Sequence, residues 1–276
     1  MPAFICSACG LQYPNSEVPP QVCVVCQDER LHLPPGGQAW TTMAALRDTH
    51  FNAFRRHEPG LMGLGTHPTF AFGQRALLLR TPAGNILWDC LSFLDDATTA
   101  LIGALGGISA IAVSHPHHYA AMVDWSHAFG SVPIYVHATD RKFVVRPDSG
   151  VIFWEDDVFE ITPGVTLLRG GGHFGGSALL HWAQGGGGRG ALLTSDTIRV
   201  GQDGHVSFMR SYANLIPLDA NTVQRMSDLL SPWPFAVMYG SHWDSIIPQD
   251  AAGVFARSVQ RYLTAIDEQQ FGWSNL

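Results

Sequence analysis

The sequence predicts an α/β or α+β layered body with a single core, preceded by a small cysteine-rich segment. Three observations predict it. Strand-like apolar runs alternate with helix-like runs through most of the chain. Four of the five cysteines are crowded into two Cys-x-x-Cys pairs near the N-terminus. The chain has 276 residues, 46% of them hydrophobic, which is enough to bury a core and too apolar for disorder.

The first segment, residues 1–36, carries Cys6, Cys9, Cys23 and Cys26 and closes at Pro34-Pro35-Gly36-Gly37. Thirteen residues separate the two pairs. Two such hooks can close four thiolates around one tetrahedral ion, and Gly10 gives the first hook its backbone freedom. A piece this short cannot hold a core, so the ion would supply its folding energy. The expectation is one structural zinc; an iron in the same cage, or uncoordinated or disulfide-bonded cysteines, are the alternatives. The segment resembles rubredoxin-like zinc ribbons. Cys90, at a strand end, reads as a small buried residue.

Residues 37–276 form the second expected domain. Thr41 or Thr42 is placed to cap a helix running to about His57, with Met43, Leu46, His50 and Phe54 along one stripe. The main body is expected beyond the glycine-rich stretch 60–65. Strands 75–80 and 86–90 flank a Pro82-Ala83-Gly84-Asn85 turn. A helix over 95–105, a buried strand over 108–113, a helix over 120–129 and a strand over 133–137 follow. Mostly strands come next, at 151–154, 158–161, 165–169, 177–183 and 190–195, with a loop at Gly185–Gly188 between the last two. A helix over 219–230, a short strand over 235–239 and a closing helix over 249–267 complete the chain. Apolar strands with helices beside them indicate buried sheets.

Composition excludes several classes. The net charge is −7, with Lys+Arg 16 against Asp+Glu 23, so the electrostatic footprint of a nucleic-acid binder is missing. There is no basic amphipathic run for an anionic membrane surface and no apolar run near the ~20 residues that span a bilayer. The first ten residues lack the charged and apolar regions of a secretory signal, so a cytoplasmic location is expected. The partner expected is a small-molecule substrate, and a homo-oligomer is left open. The unusual number is His 13, since histidine is the commonest metal ligand.

Several histidines stand where probable strands end. Val113-Ser114-His115-Pro116-His117-His118-Tyr119-Ala120 follows an apolar strand. His115 and His117, two apart, point to the same side of an extended backbone and can grip one ion. Gly170-Gly171-Gly172-His173-Phe174-Gly175-Gly176 sets one histidine among five glycines. Leu192-Leu193-Thr194-Ser195-Asp196 ends a strand on a carboxylate, and Tyr239-Gly240-Ser241-His242 ends another on a histidine.

This order, with Asp89 at an earlier strand end, resembles the metallo-β-lactamase superfamily over roughly residues 68–245. The resemblance implies a four-layer αββα sandwich and hydrolysis by a metal-bound hydroxide. It implies that His115, His117 and His173 hold the first metal. Asp196 would be shared between metals and His242 would serve the second. Asp89 would support the metal-binding loop without touching an ion. The chain departs from the family's H-x-H-x-D-H pattern, because Tyr119 stands where its Asp belongs and Ala120 where its last His belongs. Both normally serve the second metal, so one dominant metal is expected at this edge, with Asp196 completing or sharing its shell. Two rescues of the second site are open: His118 swinging toward it, or Asp124 facing it from one helical turn on. Tyr119 is the other catalytic candidate beside Asp196, as a phenol donating to substrate or to the activated water.

The function expected is a metal-dependent hydrolase acting on an ester, thioester or lactone-type carbonyl with a mononuclear site. Zinc is the expected ion at both places, and iron and manganese stay open. Asp196 would orient the nucleophile or take its proton. The alternative is a non-catalytic metal- or ligand-binding module with a decayed second site.

Overall fold

The computed structural model describes residues 1–267. Contacts divide them into two compact units, Met1–Asp156 and the part from Asp157 onward.

The first unit opens with a three-stranded antiparallel sheet in the order β2-β1-β3, made of β1 (Ala3–Cys6), β2 (Gln12–Asn15) and β3 (Trp40–Thr42). Thr42 then caps α1 (Met43–Arg47), its side chain accepting from the Ala45 amide at 3.2 Å. The expected helix to about His57 is wrong beyond this single turn. Residues 51–58 form β4 (Phe51–Glu58), which pairs antiparallel with β5 (Leu61–His67). Gly60, at φ 84°, turns the chain between them, and once the hairpin closes an antiparallel ladder, irregular only between Arg56 and Glu58, outweighs the helical stripe. The body therefore begins at Phe51 rather than beyond residue 65.

The sheet continues through β6 (Arg75–Thr81) and β7 (Gly84–Trp88). Asp95 caps α2 (Asp96–Ala104), accepting from the Thr98 amide at 2.6 Å. After β8 (Ala110–Ala112) come α3 (Met122–Ala128), β9 (Ile134–His137) and β10 (Val151–Trp154). The seven strands lie in the order β10-β9-β8-β7-β6-β5-β4. Pairs from β7 to β10 are parallel and those from β4 to β7 antiparallel. Leu77, Leu78, Leu79, Leu87 and Ile111 are fully buried, as their unbroken apolar runs require. Ile5, Leu46 and Phe93 form one buried cluster that fastens the small sheet to the larger one.

The second unit has β11 (Val158–Thr162), β12 (Val165–Arg169) and β13 (Ala178–Trp182), a glycine turn α4 (Gly185–Gly188), and β14 (Ala191–Ser195). Two short hairpins follow, β15 (Arg199–Val200) with β16 (Val206–Ser207), and β17 (Met209–Ser211) with β18 (Ile216–Pro217). The described chain ends with α5 (Ala220–Leu230), β19 (Val237–Gly240), β20 (Ile246–Ile247) and α6 (Ala251–Ile266). The main sheet runs β11-β12-β13-β14-β19-β20. Leu168, Leu179, Leu192 and Met238 of the sheet share one core with Val223, Met226 and Leu230 of α5 and Phe255 and Val259 of α6. Among the described residues no helix is long and apolar enough to cross a membrane.

Candidate metal centre

Two sets of buried side chains have the chemistry to hold a metal ion: Cys6, Cys9, Cys23 and Cys26, and His115, His117, His173 and Asp196.

In the cysteine set, Sγ of Cys6 lies 3.6 Å from Sγ of Cys26, and Sγ of Cys9 lies 3.5 Å from Sγ of Cys23. A tetrahedron with arms of about 2.3 Å has edges of about 3.8 Å, so the four sulfurs fit one zinc-sized ion. They are too far apart for disulfides, and all five cysteines of the chain are reduced. The side-chain amide of Gln38 donates to Cys6 Sγ at 3.1 Å and accepts from the Cys23 amide at 3.2 Å, tying the two hooks together. Hydrogen bonds from Cys26 pull the Cys23 thiol down to about 7, whereas those involving Cys23 push Cys9 well above the ordinary thiol range. Cys90 is buried, and burial raises its thiol in turn, as expected of a packing residue.

The histidine set begins in the first unit at the ends of β7 and β8. Asp89 follows β7 in the left-handed region, at φ 64°, a strained conformation for a residue with a side chain. There its Oδ1 accepts from the Ser114 amide at 2.8 Å and its Oδ2 lies 3.5 Å from Nδ1 of His118. Asp89 thus contacts the loop after β8 at Ser114 and His118. His118 faces Asp89. His115 and His117 are buried with ring centroids 5.1 Å apart, and His115 Nδ1 lies 2.8 Å from Ser114 Oγ.

The other two members belong to the second unit. His173 sits in the glycine loop after β12, its Nδ1 3.0 Å from the Arg210 carbonyl. A carbonyl only accepts, so Nδ1 carries the proton and Nε2 keeps its lone pair, the tautomer a metal ligand needs. Asp196 follows β14, and its Oδ1 accepts from the Ser241 hydroxyl at 2.6 Å. With that proton committed, Ser241 Oγ accepts from His242 Nδ1 at 2.9 Å. His242 Nε2 therefore also keeps its lone pair. His242 is not part of the four-residue donor set; with Trp243, Arg199 and Gln202 it lines an open cleft. Tyr212 donates to the Asp196 carbonyl at 2.8 Å and packs 5.4 Å from the His173 ring.

Two other expected residues are placed plainly. Tyr119 is buried and lines a small cavity with Leu11, Met122 and Phe143; burial keeps its phenol protonated, with the nearby Asp140 carboxylate adding to the effect. Among the described residues its hydroxyl has no hydrogen-bond partner. Asp124 accepts from Gln12 Nε2 at 2.6 Å and from Arg146 at 2.7 Å, so it is engaged by the cysteine segment.

No family model matches the chain. The uncharacterized protein YmaE of Bacillus subtilis (strain 168) is 41% identical over 274 residues, which cover 98% of this chain and 99% of the relative. The chain belongs to the YmaE family. Solved structures set the fold of this YmaE family member. VMB-1 matches with a TM-score of 0.57 at 13% identity, covering 78% of this chain and 97% of its own. DIM-1 metallo-β-lactamase matches at 0.56 and 12%, covering 78% and 98%. The metallo-β-lactamase FIM-1 from Pseudomonas aeruginosa matches at 0.54 and 14%, covering 76% and 95%. The fold is the metallo-β-lactamase αββα type, as expected, with the small three-stranded sheet added at its N-terminus.

Sequence reasoning does not single out Ser114, Ser241 or the Arg210 carbonyl. The two serines lie inside the histidine motifs, so their places are visible in the sequence, and only the geometry reveals their hydrogen bonds. Nothing in the sequence marks Arg210, which reaches His173 through its backbone.

Proposed function

We propose that this YmaE family member is a metal-dependent hydrolase acting on an ester, thioester or lactone-type carbonyl. In this reading His115, His117, His173 and Asp196 hold a single catalytic ion, and the four cysteines hold a structural one. The observation that carries it is the tautomer of His173, fixed by a backbone carbonyl so that Nε2 is left to donate. The fold supports it, because the matched metallo-β-lactamase chains are covered almost end to end, and the FIM-1 structure is of its mono-zinc form.

A divalent ion at this place supplies Lewis acidity and a nucleophile at neutral pH. The chain's own residues do the rest. Asp196, with Oδ1 held by Ser241, is the carboxylate that would orient the attacking water or take its proton. Trp243 and His242, with Arg199 and Gln202, line the open cleft that would take the acyl group. The protonated Tyr119 phenol is a donor only if substrate or the loop itself brings a partner to it.

The decayed-module reading is favoured by Tyr119 and Ala120, which cannot ligate as Asp and His would. Elemental analysis of the full chain separates the outcomes. Two metals per chain, one of them lost in His173→Ala together with turnover of a reactive ester, supports the hydrolase. One metal per chain overturns it. Two metals with no activity on a panel of esters, thioesters and lactones supports the module.

A further inference from the structure

The cysteine segment reaches the histidine loop through Leu11 and Gln12, while Gly10 beside them is bonded to Ser92. Gly10 and Leu11 alone separate Cys9 from Gln12. The knuckle is closed by the Gly10 amide donating to the Cys6 carbonyl at 2.8 Å and the Cys6 amide donating to the Leu11 carbonyl at 2.9 Å. Whatever fixes Cys6 and Cys9 therefore fixes Gly10, Leu11 and Gln12. The Ser92 hydroxyl donates to the Gly10 carbonyl at 2.8 Å, and a Cβ on Gly10 would lie 2.2 Å from that hydroxyl. Leu11 is buried beside Tyr119 and Ala120.

Gln12 makes the decisive contacts. Its backbone amide donates to the Ala120 carbonyl at 3.0 Å. Its side chain donates to Asp124 and accepts from Arg146, which itself donates to Asp124. Ala120 sits at φ 43°, a conformation that a residue with a Cβ keeps only when its surroundings hold it there. Cys9 and His117 line one cavity, so the knuckle and the ligand loop share a wall.

We propose that the metal-filled cysteine segment is the strut of the loop His115–Ala120, with Gln12 as its positioning residue. The strut does the work that a second ion would do if residues 119 and 120 could bind one. Its link to metal binding rests on the reading that His115 and His117 are ligands.

The test uses the full chain loaded with cobalt(II), comparing the natural protein with Gln12→Ala and with Cys23→Ser/Cys26→Ser. In Gln12→Ala the thiolate-to-cobalt absorption persists, showing a filled cysteine site. The histidine-site ion is bound about tenfold more weakly and its visible bands change. Hydrogen exchange of residues 115–121 accelerates at least tenfold while residues 3–9 are unchanged. The double cysteine variant loses both protections. Histidine-site affinity within twofold of the natural protein, with exchange at 115–121 unchanged in Gln12→Ala, overturns the strut. If the natural protein takes no second ion at all, the hydrolase reading falls, and exchange at 115–121 alone decides the strut.

Discussion

Ser241 donates its hydroxyl proton to Asp196 at 2.6 Å, and both residues are buried. A hydrogen bond to a buried carboxylate is worth about 1.5–3 kcal/mol. Ser241 also fixes the His242 tautomer, so one hydroxyl sets two candidate metal-site side chains. Ser241→Ala is therefore expected to weaken the histidine-site ion about 10–100-fold while the cysteine ion stays bound. Competition with a chelator measures it. Unchanged affinity would mean that Asp196 Oδ1 needs no partner.

Tyr119 gives a prediction in the opposite direction. Its hydroxyl is buried in a cavity whose other lining is largely apolar, and burial raises its pKa. Removing an uncompensated buried hydroxyl relieves a cost of about 1–3 kcal/mol. Tyr119→Phe should match or exceed the natural protein in thermal stability. If turnover also falls several-fold, the phenol serves the reaction; if stability drops, the hydroxyl has a partner in solution.

The histidine motifs and the cysteine pairs are legible because each is a short run with a chemical signature at a strand end or turn. His115, His117, His173 and Asp196 are thus readable from the chain alone. The segment 41–57 is not. Met43, Leu46, His50 and Phe54 fit a helical stripe, and nothing local reveals that Gly60 closes a hairpin and adds two strands to the sheet. Gln12 is invisible for a different reason. A glutamine in a cysteine ribbon has no signature, and its partners Ala120, Asp124 and Arg146 lie more than a hundred residues away in sequence.

Asp219 caps α5, accepting from the Thr222 amide at 3.0 Å and the Thr222 hydroxyl at 2.7 Å. Those bonds, the hydroxyl first, hold its pKa below the ordinary carboxylate value. A carboxylate with a depressed folded pKa stabilises above its unfolded value, and that contribution is lost as pH falls through the folded one. Asp219→Ala should cost about 1 kcal/mol at pH 7. Melting curves of the two proteins should converge under acid conditions below the ordinary aspartate range. A gap that persists there would assign the loss to hydrogen bonding by the protonated carboxyl of Asp219 rather than to its charge.

Gly190 precedes β14 at φ 86°, and a Cβ there would lie 2.0 Å from the Pro234 carbonyl oxygen. That oxygen cannot move freely, because His181 Nε2 donates to it at 2.7 Å. Nearby, the Gly190 carbonyl accepts from the Ala236 amide at 2.9 Å, so the two segments are stitched on both sides of the contact. Gly187 is the matched control, left-handed at φ 68° with nothing within 4 Å of where a Cβ would stand. Gly187→Ala should cost only the conformational strain, about 1–2 kcal/mol. Gly190→Ala carries that strain plus a backbone clash, and is expected to lose roughly 3 kcal/mol or more. At about 2–4 °C per kcal/mol, its melting temperature should fall by roughly twice as much as that of the control. Equal losses in the two variants would show that β14 and the Pro234 segment separate readily, and that the close approach at Gly190 is not a fixed contact of the fold.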